Sequence, residues 1–371
     1  MGESVDLSPL PLPEGVRSRH VPDVNGLAMH ILEAGWKGER PLVLLLHGFP
    51  ELAFSWRKVI APLAEAGLHV VAPDQRGYGR TTGWDGSYDG DLYSFRMVNL
   101  VRDVLALVSA LGYRTVHAVI GHDFGSPVAA YCALIRPDVF RRVALMSAPF
   151  AGPPPARSAP APDINDALAK LDPPRKHYQW YYSTREADKN MRDCPHGIHA
   201  FLRAYYHYKS ADWRDNRPYP LKAWPELAKM PTYYIMNAND GMAETVSPYM
   251  PSKAGIDACG WLTEDELAVY AGEFARIGFQ GGLQWYRCNL PGSVNQELDL
   301  FAGRAIDVPS LFIAGKSDWG AYQVPGSFER MRASACTNMR GAHLIEGAGH
   351  WVQQERPRET LDLLLPFLTR D

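Results

Sequence analysis

The chain has 371 residues, a formal net charge of -3 at pH 7, and 46% hydrophobic against 21% charged residues. That length fits one large domain or two, and the apolar content is sufficient for a sizeable buried core. The small net charge gives no indication of a nucleic-acid partner. The longest apolar run, residues 41–46, is far shorter than the roughly 20 residues that span a bilayer, so no membrane segment is predicted.

The cysteines and the first residues bear on the cellular compartment. There are 5 cysteines, an odd number with no close pairing, which is more typical of a reducing compartment than of a disulfide framework. Residues 1–13 carry acids and prolines without a basic start and a long apolar core, so no signal peptide is predicted. We therefore expect a cytoplasmic protein. Neither a CxxC nor an HExxH pattern occurs, so we predict no metal, and the motifs imply no organic cofactor.

The first part of the chain alternates strands with helices. Apolar runs predict strands over residues 27–34, 41–46, 68–73, 115–120 and 142–147. Helical spacing predicts helices over 55–66, 94–111 and a third from Ser126 onward. A run that is apolar throughout, such as 41–46, is typical of a strand buried on both faces of a parallel sheet. The alternation predicts a doubly wound, mostly parallel α/β sheet.

The alternation stops in the middle of the chain. From about residue 150 to about 305 the sequence is aromatic and helix-like, with helical stretches at 176–186, 198–208 and 264–277. It resumes with strands at 308–314 and 342–346, a helix around 326–332 and a last amphipathic helix at 357–368. We therefore predict an α/β core made of residues 1–149 and 306–371, interrupted by a mostly helical insertion, 150–305.

One pentapeptide, Gly121-His122-Asp123-Phe124-Gly125, lies between a predicted strand and a predicted helix. Strand, sharp turn and helix are the setting of a nucleophile elbow, whose usual form is Gly-x-Ser-x-Gly. Here Asp123 holds the central position. A carboxylate with a pKa of about 3.9 is ionised at neutral pH, so it can attack carbon and form an enzyme ester. The alternative interpretation is a glycine-bounded turn in which Asp123 caps the helix.

Two further residues follow predicted strands, Asp318 and His350. Ligands of open α/β sheets bind beyond the carboxyl ends of the strands, so Asp123, Asp318 and His350 are predicted to share one edge. Their chain order, nucleophile, acid and histidine, is that of an α/β-hydrolase triad. His350 would be the base and Asp318 would orient its ring. Taken singly, Asp318 could be a turn residue and His350 a loop histidine; together they favour a triad.

From about Val24 onward the chain resembles the α/β-hydrolase fold family and, within it, the soluble epoxide hydrolases. The stretches that carry the resemblance are 47–51 (HGFPE) with 55–57 (SWR), 74–79 (DQRGYG), 121–125 (GHDFG) and 347–357 (GAGHWVQQERP). The resemblance implies an α/β-hydrolase fold whose insertion is a helical cap. It also implies an oxyanion hole made by the backbone N–H groups of Phe49 and Phe124. His47 is not predicted to be catalytic.

The resemblance also implies two tyrosines that protonate the epoxide oxygen. Residues 278–287 (GFQGGLQWYR) are similar to the family segment with one of them, at Tyr286. Residues 178–182 (YQWYY) are similar to the other segment and indicate Tyr178, although Tyr181 and Tyr182 remain open as that donor. A phenol with a pKa of about 10 is protonated at pH 7 and can supply the proton that an alkoxide needs. Packing is the alternative role for each tyrosine.

The sequence therefore predicts an epoxide hydrolase that forms a vicinal diol through an Asp123 ester. The expected partners are water and a small apolar epoxide, and the expected pocket residues are Trp180, Tyr181, Tyr182 and Trp285. The rivals are a haloalkane-type dehalogenase with the same nucleophile and a catalytically silent ligand-binding homologue. Phe124 stands where these enzymes usually have Trp, and its ring has no N–H to donate to a halide. The oligomeric state stays open, a homodimer being one option, as does the role of residues 236–262 in a longer lid.

Overall fold

The computed structural model describes residues 7–155, 164–290 and 294–369. The prediction that residues 1–13 form no signal peptide falls partly outside these ranges, because residues 1–6 are not described. The described strands are β1 (Val16–Val24), β2 (Leu27–Ala34), β3 (Leu42–Leu46), β4 (His69–Pro73), β5 (Ala118–His122), β6 (Val143–Met146), β7 (Arg175–His177), β8 (Ile235–Asn237), β9 (Ser310–Gly315) and β10 (Met339–Ile345).

The α-helices in the same residues number fourteen. They are α1 (Ile60–Glu65), α2 (Met97–Ala110), α3 (Gly125–Ile135), α4 (Ile164–Ala169), α5 (Tyr178–Tyr182), α6 (Glu186–Arg192), α7 (Gly197–Lys209), α8 (Met242–Val246), α9 (Lys253–Ala258), α10 (Glu264–Ile277), α11 (Gln280–Cys288), α12 (Ser327–Arg330), α13 (Val352–Glu355) and α14 (Pro357–Thr369). No helix among them is long and apolar enough to cross a bilayer.

Eight strands form one sheet in the order β1-β2-β4-β3-β5-β6-β9-β10. The pairs β1–β2 and β2–β4 are antiparallel. The pairs from β4 through β3, β5, β6 and β9 to β10 are parallel. The α/β class and the mostly parallel sheet are therefore confirmed.

Helices cover both faces of this sheet. Successive side chains of a strand point to opposite sides, so one strand contributes to the apolar layer on each face. Leu42, Leu44 and Leu46 of β3 belong to an apolar cluster that includes side chains of α2 and α3. Val43 and Leu45 belong to a second cluster with side chains of α1 and α14. The run of five buried residues in β3 thus supplies both layers, as expected for a doubly wound sheet.

The described residues between β6 and β9, 147–155, 164–290 and 294–309, form a separate layer over the carboxyl ends of the parallel strands. Its described elements are α4 to α11 and a small antiparallel ladder of β7 with β8. Among the hydrogen bonds that fix it to loops of the core, Tyr206 Oη donates to the Pro50 carbonyl over 2.9 Å, and Trp285 Nε1 donates to the Arg76 carbonyl over 2.9 Å. We call these residues, 147–309, the inserted segment.

Several elements differ from the sequence-based predictions. The helix predicted over 55–66 is split into a 3-10 turn, Ala53–Trp56, and the short α1. Pro62 lies in the first turn of α1, where its missing N–H costs nothing, whereas a longer helix would leave the carbonyl of Lys58 without its partner. The helix predicted over 176–186 is broken into β7, α5 and α6, because residues 175–177 pair with β8 instead.

Candidate active site

The elbow at Asp123 follows from the small residues around it. Asp123 lies between β5 and α3 with φ of +51°, the left-handed region that a nucleophile elbow requires. A Cβ on Gly121 would lie 2.0 Å from the Gly125 carbonyl oxygen, and a Cβ on Gly125 would lie 2.2 Å from that of Leu46. Glycine is therefore required at both flanking positions, and the turn presents Asp123 at the sheet edge.

One oxygen of this carboxylate is held by the loop after β3. The backbone N–H of Phe49 donates to Asp123 Oδ1 over 2.9 Å. A Cβ on Gly48 would lie 2.3 Å from the same oxygen and 2.7 Å from the Phe124 nitrogen. Both predicted backbone donors therefore lie around Asp123, and the bond from Phe49 is formed in this structure.

The other oxygen faces His350. Nε2 of His350 lies 3.2 Å from Asp123 Oδ2, and its Nδ1 donates to Asp318 Oδ1 over 3.1 Å. Asp318 also accepts from the Gly320 N–H over 2.7 Å, which fixes its carboxylate. The three side chains are buried, with Asp123 at 8% exposure the most accessible. The structure thus brings together the three residues predicted at strand ends.

The electrostatic surroundings keep both carboxylates ionised. Burial would raise the pKa of Asp123, but the contact with His350 and the charges of His350, Lys209 and His122 lower it below its usual value. Burial likewise opposes ionisation of Asp318, and its contact with His350 lowers the pKa overall. An ionised Asp123 has the charge state that a nucleophile needs at neutral pH.

The two predicted tyrosines lie on different helices, close enough to this carboxylate for its charge to act on both. Tyr286 of α11 packs against the ring of Phe124 at 5.2 Å and that of Phe49 at 5.6 Å. Tyr178 of α5 packs against Tyr286 at 5.9 Å, and its hydroxyl donates to Gln323 Oε1 over 3.1 Å. Burial, followed by the charge of Asp123, raises the pKa of both phenols well above the usual value. Both hydroxyls therefore stay protonated.

A close backbone approach sets the position of Tyr286. A Cβ on Gly281 of α11 would lie 2.2 Å from the carbonyl oxygen of Gly77 in the loop after β4. Only glycine permits this contact between helix and loop. Trp285, the preceding residue, is held by its bond to Arg76 and packs edge-on against Phe124 at 5.2 Å.

The predicted pocket residues divide into two groups. Tyr182 and Trp285 are buried and contact the aromatic side chains at the site, Tyr182 packing on Tyr286 at 5.0 Å. Trp180 is 44% exposed, so the structure does not bring it to the site. Residues on a helix diverge by about 100° per step, and Trp180 therefore faces away from Tyr178 and Tyr182. Tyr181 is buried beneath the ammonium of Lys176 at 4.5 Å.

The sequence-based analysis assigned no role to an ion pair beneath the elbow. His122 Nδ1 lies 2.5 Å from Glu51 Oε2, and the side-chain amides of Gln353 and Gln354 donate to Glu51 Oε1. Burial acts against both charges, yet mutual attraction raises the pKa of His122 and lowers that of Glu51. All four residues lie in the motifs quoted above, but 71 residues separate Glu51 from His122, so no local pattern predicts their contact.

A second unpredicted feature is the buried carboxylate of Glu355. It accepts backbone N–H bonds from Gly349 and Trp351 on either side of His350, and from Ala211 beyond α7, over 2.8 to 2.9 Å. The N–H of His350 itself donates to the Lys209 carbonyl over 2.9 Å. The loop that carries the predicted base is therefore bonded to both the core and the inserted segment. Nowhere in the described residues is a group of three or more His, Cys, Asp or Glu side chains arranged to hold a metal ion.

Known proteins share the sequence pattern and the fold of this chain. Residues 41–357 match the family model described as alpha/beta hydrolase fold. Epoxide hydrolase A of Mycobacterium tuberculosis is 34% identical over 96% of this chain and 98% of its own length. Epoxide hydrolase B of the same organism is 34% identical over 88% of this chain and 91% of its own length.

Among solved structures, an epoxide hydrolase from an endophytic Streptomyces has a TM-score of 0.77, with 32% identity and 96% coverage of both chains. Potato (Solanum tuberosum) epoxide hydrolase I has a TM-score of 0.73, with 30% identity over 96% of this chain and 100% of its own. The chain therefore belongs to the α/β-hydrolase fold family, among its epoxide hydrolase members.

Proposed function

We propose that this protein is an epoxide hydrolase that converts an apolar epoxide to a vicinal diol through an ester on Asp123. One observation carries the proposal: the ionised carboxylate of Asp123 accepts from the Phe49 N–H, faces the His350 ring, and acts electrostatically on two buried, protonated tyrosines. A carboxylate beneath phenolic donors can open an oxirane, because attack on carbon and protonation of oxygen occur together.

In the first half-reaction, Oδ2 of Asp123 attacks the less hindered epoxide carbon and the C–O bond of the ring breaks. Oδ1 keeps its bond to the Phe49 N–H and becomes the ester carbonyl oxygen. Tyr178 and Tyr286 polarise the ring oxygen, and one of them transfers its proton to the developing alkoxide. Tyr178 exchanges its bond to Gln323 for one to the substrate.

In the second half-reaction, His350 takes a proton from water, and the resulting hydroxide attacks the ester carbon of Asp123. Negative charge collects on Oδ1, where the N–H groups of Phe49 and Phe124 stabilise it. The bond from the ester carbon to Oδ2 breaks, so Oδ2 leaves in the diol and His350 protonates that oxygen. The remaining hydroxyl proton returns to the tyrosinate. Asp318 holds the His350 ring and stabilises its charged form.

The inserted segment supplies both tyrosines, and we propose that residues 150–305 act as a cap on a core made of 1–149 and 306–371. Residues 236–262 are part of that lid: the carbonyl oxygen of Trp261 accepts from Lys58 over 2.7 Å. The odd number of cysteines supports a cytoplasmic location.

Dehalogenation is disfavoured, because the Phe124 ring has no N–H and the indole N–H groups of Trp285 and Trp351 already donate to carbonyls. A silent binding protein is disfavoured by the complete triad.

A single turnover in heavy-oxygen water with excess enzyme tests the ester. The diol should be unlabelled, and the peptide with Asp123 should carry the label, since the solvent oxygen enters the carboxylate. In His350→Gln the alkylated enzyme should accumulate, visible as one added substrate mass, whereas Asp123→Asn should give no adduct. Labelled diol in the first turnover would show direct attack by water. Halide release from alkyl halides, without diol from styrene-type epoxides, would favour the dehalogenase.

A further inference from the structure

Lys209, the last residue of α7, is a buried cation without a paired carboxylate. It is 3% exposed. Three arginines of the described residues are equally buried, and each pairs with an acid at 2.7 Å or less: Arg57 with Glu266, Arg76 with Asp103, Arg203 with Glu264. No carboxylate oxygen of the described residues lies within 4.0 Å of Lys209. A buried, unpaired charge is costly, so this exception calls for a function.

Aromatic rings surround the ammonium group. It lies 5.1 Å from the ring centroid of Tyr234, 5.3 Å from those of Tyr205 and Trp351, and 5.9 Å from that of Tyr233. Cation–π contacts of this kind offset part of the desolvation of a cation. The Tyr205 hydroxyl also accepts a hydrogen bond from Lys209, and an ammonium with three N–H donors can still donate to a further acceptor. The rings thus hold the ammonium in place without neutralising it.

This charge acts on the reaction centre. The Lys209 carbonyl accepts from the His350 N–H over 2.9 Å, and Trp351 packs edge-on against the His350 ring at 4.7 Å. Behind burial and the contact with His350, the Lys209 charge is the next influence on the ionisation of Asp123. Lys209 therefore lies next to the triad, in contact with the loop of His350 and close enough for its charge to act on Asp123.

A second donor lies beside it. Tyr234 is 1% exposed, and its hydroxyl has no hydrogen-bond partner among the described residues. The neighbouring Tyr233, by contrast, donates to Asn216 Oδ1 over 2.7 Å. The Tyr234 ring touches the ammonium on one side and packs on Tyr178 at 5.0 Å on the other. A buried hydroxyl without a partner is unfavourable, and a buried ammonium without a counter-charge is more so; one anionic acceptor would satisfy both.

We propose that Lys209 and Tyr234 form a subsite for a carboxylate on the epoxide substrate. This inference rests on the proposed epoxide hydrolase function and narrows its substrate to an apolar epoxide with one acidic group. Alkylation converts Asp123 into a neutral ester and removes a negative charge that faces Lys209. A substrate carboxylate keeps the ammonium paired through that step. Because the Tyr234 ring lies 5.1 Å from the ammonium and 5.0 Å from the Tyr178 ring, we place the carboxylate a few bonds from the oxirane.

The test compares 3-phenylglycidate with its neutral amide, and the readout is the ratio of their kcat/KM values. A ratio cancels any effect common to both substrates, such as an altered Asp123. Wild type should prefer the carboxylate by roughly 10- to 100-fold, the range of a hydrogen bond to a charged group. Lys209→Met should bring the ratio to about one or below, and Lys209→Arg should restore much of it. Tyr234→Phe should lower the ratio less, because it removes a donor and no charge.

Lys253→Met is the matched control, since that lysine side chain is 88% exposed, and it should keep the wild-type ratio. A wild-type ratio near one, or an unchanged ratio in Lys209→Met, would overturn the subsite. Calorimetric binding of unreactive 3-phenylpropanoate and its amide gives a readout that needs no turnover. If the enzyme forms no diol from 3-phenylglycidate, its amide or styrene oxide, and binding of 3-phenylpropanoate still depends on Lys209, the epoxide hydrolase function would be overturned and the subsite would stand.

Discussion

The ring of His122 donates a hydrogen bond from Nε2 to the backbone carbonyl of His350 over 2.7 Å. The other ring nitrogen faces the carboxylate of Glu51. Both nitrogens therefore face acceptors, and the ring carries both protons and a positive charge. The residue next to the proposed nucleophile thus holds the backbone of the proposed base, and Glu51 supplies the balancing negative charge.

We expect Glu51→Gln to lower the free energy of unfolding by roughly 3–5 kcal/mol, because it leaves a buried imidazolium without its counter-charge. Urea denaturation at pH 7 measures the change. The double variant Glu51→Gln, His122→Gln should recover part of the loss, since no charge is then left unpaired. Glu226→Gln, which removes an exposed ion pair with Lys229, should have a much smaller effect. Equal losses in both single glutamate variants would contradict a special role for the buried pair.

The tyrosine pair separates epoxide opening from dehalogenation, because a halide leaves as a stable anion and an alkoxide does not. Tyr178→Phe and Tyr286→Phe each remove one donor and keep the packing ring. A donor to developing charge contributes roughly 2.7–4 kcal/mol when it acts alone, so each single change should cost less than that. The double change should nearly abolish alkylation, a non-additive result. Pre-steady-state alkylation rates measure the effect of each variant, and Tyr219→Phe is the control because Tyr219 is exposed. If the double variant alkylates as fast as wild type, both tyrosines are packing residues.

Glu355 should give the folded protein a specific dependence on pH. Burial raises its pKa from 4.5 to about 7, although three backbone N–H bonds oppose that rise. Between these values the folded state holds a proton that the unfolded chain has lost. The contribution of Glu355 to the free energy of unfolding is therefore full below about pH 4.5 and decreases as the pH rises to about 7, by at most ~1.4 kcal/mol per pH unit.

Chemical denaturation of wild type and Glu355→Gln from pH 4.5 to 8 isolates this contribution as a difference. Glu33→Gln is the control, because hydrogen bonds from His69 and Arg19 outweigh burial and lower the pKa of Glu33 from 4.5 to about 2. Its contribution is lost only as the pH falls below about 4.5, so that difference should be flat over the same range. A flat difference for Glu355→Gln would show that its carboxylate is ionised throughout.

The sequence predicts best where local chemistry decides the structure. Helix α10 has the predicted bounds, 264–277, and the structure shows why: Thr263 and Glu266 form a reciprocal cap at its start. The edge shared by Asp123, Asp318 and His350 was predictable because each of them follows the end of a strand that the sequence predicts. The strand β1 was missed, because only Val21 and Val24 of its nine residues are buried and charged residues interrupt its pattern.

Relationships across the chain were beyond local patterns. The contact of Glu51 with His122 spans 71 residues and that of Glu355 with Ala211 spans 144. Tyr234 and Lys209 meet only because β8 pairs with β7 and brings Tyr234 beside Tyr178. Trp180 was placed in the pocket by composition, and the short helix α5 directs it to solvent instead. In each case tertiary packing decides what a single motif cannot.

The His350 N–H donates to the Lys209 carbonyl, and Glu355 accepts three further N–H bonds. The position of the proposed base therefore depends on both the core and the inserted segment. A rigid-body movement of α7 would pull the His350 backbone with it and break the hydrogen bond between the His350 ring and Asp318. An opened protein would then retain a nucleophile able to trap an electrophile and lose the means of releasing it. If α7 stays in place while substrate enters and product leaves, the enzyme avoids being trapped as the ester. The movements that admit substrate are therefore expected in side chains and in helices next to α7.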